Sequence, residues 1–262
     1  MRSAMKRLIP LLALALLALA PAAGAAEPGL VLHYSMEEAV DGVVRDLSGN
    51  NNHLKLGPGA ALADGQFGKA LVLDGKGAIL VPDSPSLRSI KNGLTVSLWL
   101  RLDTDAIRWT SFVKKDAATE ATGKGGGPTA YRPFRGFNLG TNGSSGPTKI
   151  KEGAGFLFTV DGVGGRDTVS VPMAKYVEPG RWVHLAATYN TGSRDRGLRL
   201  FVNGVLIGDI VMIEMPTDIS TETPLTIGRD LTGLVGALDE IRIYDRPLPE
   251  AEIKKIFQSA GK

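Results

Sequence analysis

The chain has 262 residues, and 30 Lys and Arg against 27 Asp and Glu give it a formal charge of +3. Arg2, Lys6 and Arg7 supply that whole excess from the first seven positions. Beyond them the charges balance, which excludes the basic footprint of a nucleic-acid binder. No cysteine occurs, so the fold rests on its core or on a bound ion, and a chain of this length buries ample apolar area for one large β domain.

MRSAMKR is a basic start, and IPLLALALLALA is an apolar run too short and small-sided for a membrane span. PAAGAA then offers small residues for signal peptidase, after Ala25 or Ala26. The pattern predicts a cleaved signal peptide over 1–26, a single mature domain over 27–262 and a secreted or periplasmic location. It leaves no transmembrane segment after cleavage, and no Cys is present to carry a lipid anchor.

The mature chain alternates short apolar runs with Gly, Asn, Asp and Pro. LVLHY (30–34), ALVLD (70–74), AILV (78–81), LTVSLWLRL (94–102), TSFVKK (110–115) and GFLFTV (155–160) read as strands. TVSV (168–171), WVHLAATY (182–189), LRLFV (198–202), VLIGDIVM (205–212), LTIG (225–228) and ALDEIRIY (237–244) continue the series. Strands at this spacing predict an antiparallel sandwich or barrel rather than βαβ units. Asn203-Gly204 marks a hairpin, because both residues tolerate positive φ. After Pro249, EAEIKKIFQ places Ile253, Ile256 and Phe257 on one face of a short helix that packs on the sandwich. The Gly-rich segment 115–136 has no periodicity and reads as a long loop. It carries Tyr131, Phe134 and Arg135 as a candidate recognition surface.

Enzyme motifs are sparse. Gly143-Ser144-Ser145-Gly146 lacks the spacing of a nucleophile elbow, and His33, His53 and His184 form no metal-type pair. No catalytic residue is assigned. A retaining glycosidase needs two carboxyl groups about 5–5.5 Å apart, which on one strand means alternate positions. Strict alternation in ALDEIRIYD puts Glu240 with Arg242 and Tyr244, and Asp239 with Ile241 and Ile243, so alternate positions give no carboxylate pair.

In order, GLVLHYSMEE, DLSGNNNHLKL, FGKALVLDG, LTVSLWLRL, RWVHLAATYN, LFVNG, LTIGRD and GALDEIRIYDRPLPEAEI span nearly all of 29–257. With these pieces the chain resembles the laminin G-like jelly-roll family of the concanavalin A-like superfamily. The resemblance implies an all-β jelly-roll sandwich of two antiparallel sheets with a short C-terminal helix. That fold hosts lectins, adhesion modules, glycanases and structural domains. The glucanase strand with Glu, Asp and Glu on alternate positions is absent here. The family also implies a structural calcium ion near the chain ends. Asp46, Ser48, Asn50 and Asn51 offer oxygen ligands in a Gly/Asn-rich turn, with an Asx-type turn as the alternative. Asp239, read as an acid on an apolar face, is costly there unless paired, hydrogen-bonded or bound to a cation. It is expected as a further ligand of that ion, with the Asp46–Asn51 loop as its companion.

Trp99 shares the outward face of its strand with Ser97 and Arg101, where a ring could stack on a sugar or be covered by other chain. Trp182 reads as core, and Trp109 is unassigned. The leading expectation is a secreted, non-catalytic recognition module for glycan or extracellular protein, stabilised by calcium. A polysaccharide hydrolase or lyase and a structural envelope or matrix protein are the alternatives.

Overall fold

In the computed structural model, residues 27–118, 134–142, 146–192, 197–230 and 232–259 are described. The expected signal peptide and Tyr131 lie outside them. Among the described residues, β1 (Leu30–Tyr34), β2 (Val43–Val44), β3 (Leu54–Lys55), β4 (Ala60–Asp64), β5 (Lys69–Asp74) and β6 (Ile79–Val81) precede the long β7 (Gly93–Leu102). The short β8 (Ala106–Ile107) leads to β9 (Ser111–Ala118), β10 (Phe134–Asn142), β11 (Thr148–Lys149), β12 (Gly155–Gly162) and β13 (Gly165–Pro172). There follow β14 (Trp182–Asn190), β15 (Leu198–Val202), β16 (Val205–Ile210), β17 (Leu225–Ile227), β18 (Val235–Tyr244) and helix α1 (Glu250–Ser259).

The strands form two main antiparallel sheets. One has eight strands in the order β16-β15-β14-β7-β18-β5-β4, with β1 beside β18; the other has six, β13-β12-β10-β9-β17-β6. The alternation of β7 aims Val96, Leu98, Leu100 and Leu102 inward, all buried. They meet Phe112, Phe137, Leu139, Phe156, Phe158 and Val160 in one core cluster. The Asn203-Gly204 turn joins β15 and β16 with φ of 50° and 74° at its two residues, as its sequence predicts.

The long loop is shorter than the sequence suggests. β9 continues to Ala118 and β10 begins at Phe134, paired from Phe134↔Ala118 to Leu139↔Val113. Glycines hide the strand pattern of β10. A Cβ on Gly136 would lie 1.9 Å from the Lys115 carbonyl oxygen, and one on Gly140 would lie 2.3 Å from that of Thr110. The neighbouring backbone leaves no room for side chains that would show the alternation.

A second departure lies in β18. Strict alternation puts Asp239 with Ile241 and Ile243, but the pairing with β7 shifts between Asp239 and Arg242, and Glu240 has φ of 51°. This bulge places one extra residue on the strand. Leu238, Ile241 and Ile243 all join the core cluster. Asp239 instead stands opposite Trp99 on the outer face, while Glu240 meets His33 Nε2 at 3.0 Å and Arg242 at 2.5 Å.

Helix α1 packs on that outer face through Ile253 and Ile256, with Leu248, Tyr244, Phe201 and Ala186. Its Phe257 stacks on Trp99 at 5.6 Å between ring centroids. Glu252 holds Arg246 at 2.7 Å, and with Glu250 it places negative charge in the first helical turn.

Lys115 is buried, and its ammonium donates to Asp83 Oδ1 at 2.8 Å and to the carbonyls of Thr221 and Thr223 at 2.6 and 2.7 Å. All three of its donors are therefore used, tying β9 to two loops. Without the ammonium the Thr221 and Thr223 carbonyls lose this donor, and Asp83 keeps only Arg88, at 2.5 Å. Lys115→Met is expected to lower unfolding free energy in urea by about 3 kcal/mol, whereas Lys76→Met, at an exposed pair, changes it little.

Burial pushes the Asp239 carboxyl up to about 7 and the His184 imidazole down to about 3. Between about pH 4 and 7 the folded chain keeps an Asp239 proton that the unfolded chain has lost, so this group removes stability as pH rises. His184 acts oppositely: the unfolded chain takes up a proton below about pH 6.5 that the folded chain refuses, so stability falls as pH drops. Urea midpoints at pH 5 and pH 8 test both, and Asp239→Asn should gain stability relative to the parent on going from pH 5 to pH 8.

Candidate ligand-binding face

Among the described residues no helix covers the outer face of the six-stranded sheet, whereas that of the eight-stranded sheet is covered by α1. Inward residues of β10 and β12, such as Phe137, Leu139, Phe156 and Phe158, enter the core. The alternate positions Asn138, Leu157, Thr159 and Asp161 therefore face outward. Lys114 and Asp116 on β9, with Arg166 and Thr168 on β13, extend the same surface. Trp109 and Asp230 flank it, and together these groups line a groove of about 410 Å³. A depression of about 620 Å³ lies beside Arg166 and Ile213, but no aromatic ring lines it.

The charges in the groove are compensated within it. Lys114 lies 3.2 Å from Asp230 and 3.5 Å from Asp116, and Arg166 lies 2.9 Å from Asp161. Burial, opposed by Lys114, raises the Asp116 carboxyl above the ordinary range. Thr159 and Thr168 hydroxyls join across β12 and β13 at 2.9 Å. The side-chain oxygen of Asn138 is buried and has no hydrogen-bond partner among the described residues. An aromatic ring, an amide and fixed charge pairs on rigid strands suit a ligand rich in hydroxyls.

The residues singled out by sequence fall elsewhere. Trp99 is only 6% exposed, enclosed by Phe67, His184 and Phe257. The surface where a sugar could stack is taken by the helix. Arg101 pairs with Asp103 through bonds of 2.8 and 3.0 Å. Its guanidinium lies 5.2 Å from the ring of Trp182, which is half-buried under it rather than in the core. Phe134 and Arg135 open β10 on the strand that carries Asn138. Tyr131 lies outside the described residues.

The Asp46 loop is held by the protein's own donors. Asp46 Oδ1 accepts from the backbone N–H groups of His33 and Ser48, both at 3.0 Å. Its Oδ2 accepts from the Ser48 hydroxyl at 2.8 Å and the Asn52 N–H at 2.9 Å. Asn50 directs its amide N–H groups to the carbonyls of Leu30 and Val31, and Asn51 supplies a positive-φ turn residue. The Ser48 N–H to Asp46 Oδ1 bond is that of an Asx-type turn, and a cation on the Asp46 carboxylate would compete with these donors. Asp239 is no companion to the loop: β1 stands between them, and its Oδ2 accepts from the Phe67 N–H at 3.0 Å. The bulge, invisible to an alternation rule, is the reason.

Trp109, Lys114, Asn138 and Asp230 were missed as a set. Phe112 and Val113 both enter the core, so alternation in TSFVKK does not place Lys114; Asn138 lies in a strand masked by glycines, and Asp230 arrives from a loop distant in sequence.

The comparisons with known proteins bear on the fold. Paraclostridial mosquitocidal protein 1 of Paraclostridium bifermentans is 22% identical over 222 residues, covering 82% of this chain but only 16% of that protein. The crystal structure of its binding domain superposes with a TM-score of 0.60 at 19% identity, over 88% of this chain and 52% of that one. Domain 4 of AbnA, an extracellular arabinanase from Geobacillus stearothermophilus solved in complex with arabinotriose, gives 0.59 at 20% identity, over 88% of this chain and 100% of that one. The binding domain of botulinum neurotoxin DC, in complex with SialylT, gives 0.54 at 13% identity, over 88% and 52%. A family profile matches residues 73–254. The two packed antiparallel sheets and that match together place the chain in the concanavalin A-like lectin/glucanases superfamily, as a laminin G-type member.

Proposed function

We propose that the protein is an exported, non-catalytic recognition module that binds a neutral oligosaccharide across the outer face of the six-stranded sheet. The observation that carries this reading is the groove itself, where Trp109 flanks the unpartnered Asn138 amide oxygen and internally balanced charges. A sugar ring needs an apolar face to stack on and fixed donors and acceptors for its hydroxyls. Because Lys114 and Arg166 already face carboxylates, the groove suits a neutral chain better than a sialylated one. Two fold relatives solved with arabinotriose and with SialylT support glycan recognition on this fold, and the arabinotriose complex is the one with a neutral chain. Export rests on the N-terminal pattern of the sequence. Among the described residues no helix is long and apolar enough to cross a membrane.

A hydrolase is the second reading, because the raised Asp116 carboxyl shares the groove with Asp230. In a glycosidase such a group could donate a proton to the leaving oxygen. The ion pairs of Lys114 and Arg166 with the groove carboxylates favour binding over turnover.

A glycan array with the mature chain tests the proposal. Trp109→Ala and Asn138→Ala are each expected to weaken a neutral-glycan hit about tenfold, or about 1.4 kcal/mol, while Trp99→Phe leaves it unchanged. Binding indifferent to both groove variants would overturn the site. Release of reducing ends from the hit, abolished by Asp116→Asn, would favour the hydrolase instead. For calcium, the hydrogen bonds on Asp46 lead us to expect the same melting curve in chelator and in calcium. Asp46→Ala should then cost about 2–4 kcal/mol in either medium. A melting temperature that falls on chelation in the parent but not in Asp46→Ala would establish the ion.

A further inference from the structure

The outer face of the eight-stranded sheet holds a second set of polar groups that the groove does not use. Asp239 stands opposite Trp99 across β18 and β7, and Trp99 opposite His184 across β7 and β14. Direct cross-strand partners on one face have Cβ atoms about 4.5–5.5 Å apart, so the three side chains rise as one row. Each is closed to solvent, Asp239 and His184 at 0% and Trp99 at 6% exposure. Phe67 covers one side of the indole edge-on at 5.3 Å, and Phe257 lies 5.6 Å from Trp99 and 5.7 Å from His184.

Within this sealed row three polar atoms have no hydrogen-bond partner among the described residues: Asp239 Oδ1, Trp99 Nε1 and His184 Nδ1. The remaining polar atoms are satisfied. Asp239 Oδ2 takes the Phe67 N–H, and His184 Nε2 meets the Ser97 hydroxyl at 2.9 Å. Buried polar groups in native proteins are almost always paired, with protein or with ordered solvent. Three orphans side by side in one row therefore point to a shared ligand.

We propose that the Asp239–Trp99–His184 row is a buried binding site for one water-sized molecule that both donates and accepts hydrogen bonds, a single structural water. The indole N–H donates to it; it donates to Asp239 Oδ1 when that carboxyl is ionised and accepts from it when the carboxyl keeps its proton. Either imidazole tautomer completes the set: an Nδ1–H donates to the molecule, and a bare Nδ1 accepts from it. Water, with free donors and free acceptors, meets these demands in every protonation state, whereas an anion fails wherever Asp239 is ionised and a hydrophobic occupant meets none of them. The bound molecule joins β14, β7 and β18 beneath α1, at the seat of the helix on the sheet.

A high-resolution crystal structure of the unmodified chain, with water–protein NMR exchange spectra of the same sample, tests this. The expected result is one density peak within hydrogen-bond distance of at least two of the three orphan atoms. A cross-peak between the Trp99 indole proton and a long-lived water should accompany it. Trp99→Phe, which keeps the stack on Phe257 but removes the N–H, should retain the density peak through Asp239 and His184. Direct bonding among Asp239, Trp99 and His184, or a row with no density and no water cross-peak, would overturn the proposal. The parent chain alone decides between these outcomes, so a variant that fails to fold leaves the test intact.

Discussion

The central strand β18 must serve the core of the sandwich and the seat of the helix at once, and one inserted residue lets it do both. Glu240 in the left-handed region costs of order 1 kcal/mol in a non-glycine residue, and the bulge interrupts the ladder to β7. In return Leu238 and Ile241 both reach the core, which burial of two aliphatic side chains more than offsets. Glu240 is held by His33 and Arg242, and their charges with the His33 bond keep its carboxyl below its ordinary value despite burial. Without the bulge, Asp239 would enter the aliphatic core with no partner.

The two outer faces of the sandwich take opposite roles because of what covers them. The eight-stranded sheet carries Trp99, His184 and Asp239 outward, and α1 closes over them. The six-stranded sheet carries charged and amide groups with Trp109 at its flank and has no helix above it among the described residues. An aromatic ring beside polar groups is the signature of a sugar site in either place, yet only one ring is accessible. Position under the helix, rather than residue type, separates a packing tryptophan from a candidate platform.

Hydrogen-bond accounting gives a similar lesson at the chain's N-terminal side. The Asp46 loop looks like a cation cradle by composition, because hard oxygens crowd a tight turn. The two Asp46 carboxylate oxygens, however, are met by N–H and O–H donors from His33, Ser48 and Asn52. Lys115 shows the complementary case, in which a buried ammonium takes one carboxylate and two carbonyl oxygens. The fold thus contains an oxygen-lined cation pocket, and the cation is a side chain.

The longer strands other than β4 and β10, the Asn203-Gly204 hairpin, the inward face of β7 and the helix after Pro249 were readable in the sequence, because each is set by local periodicity or by turn chemistry. So was the family, from pieces in order along the chain. The sequence could not place Asp239, since a one-residue bulge inverts every facing beyond it and depends on pairing with β7. Nor could it find β10, whose glycines reflect the close approach of β9, or join Asp230 to Lys114 across more than a hundred residues. Local rules determine which segments become strands. Which faces are buried, which aromatic is covered and which polar groups meet are decided by contacts between segments far apart in the chain, and those exist only once the two sheets have packed.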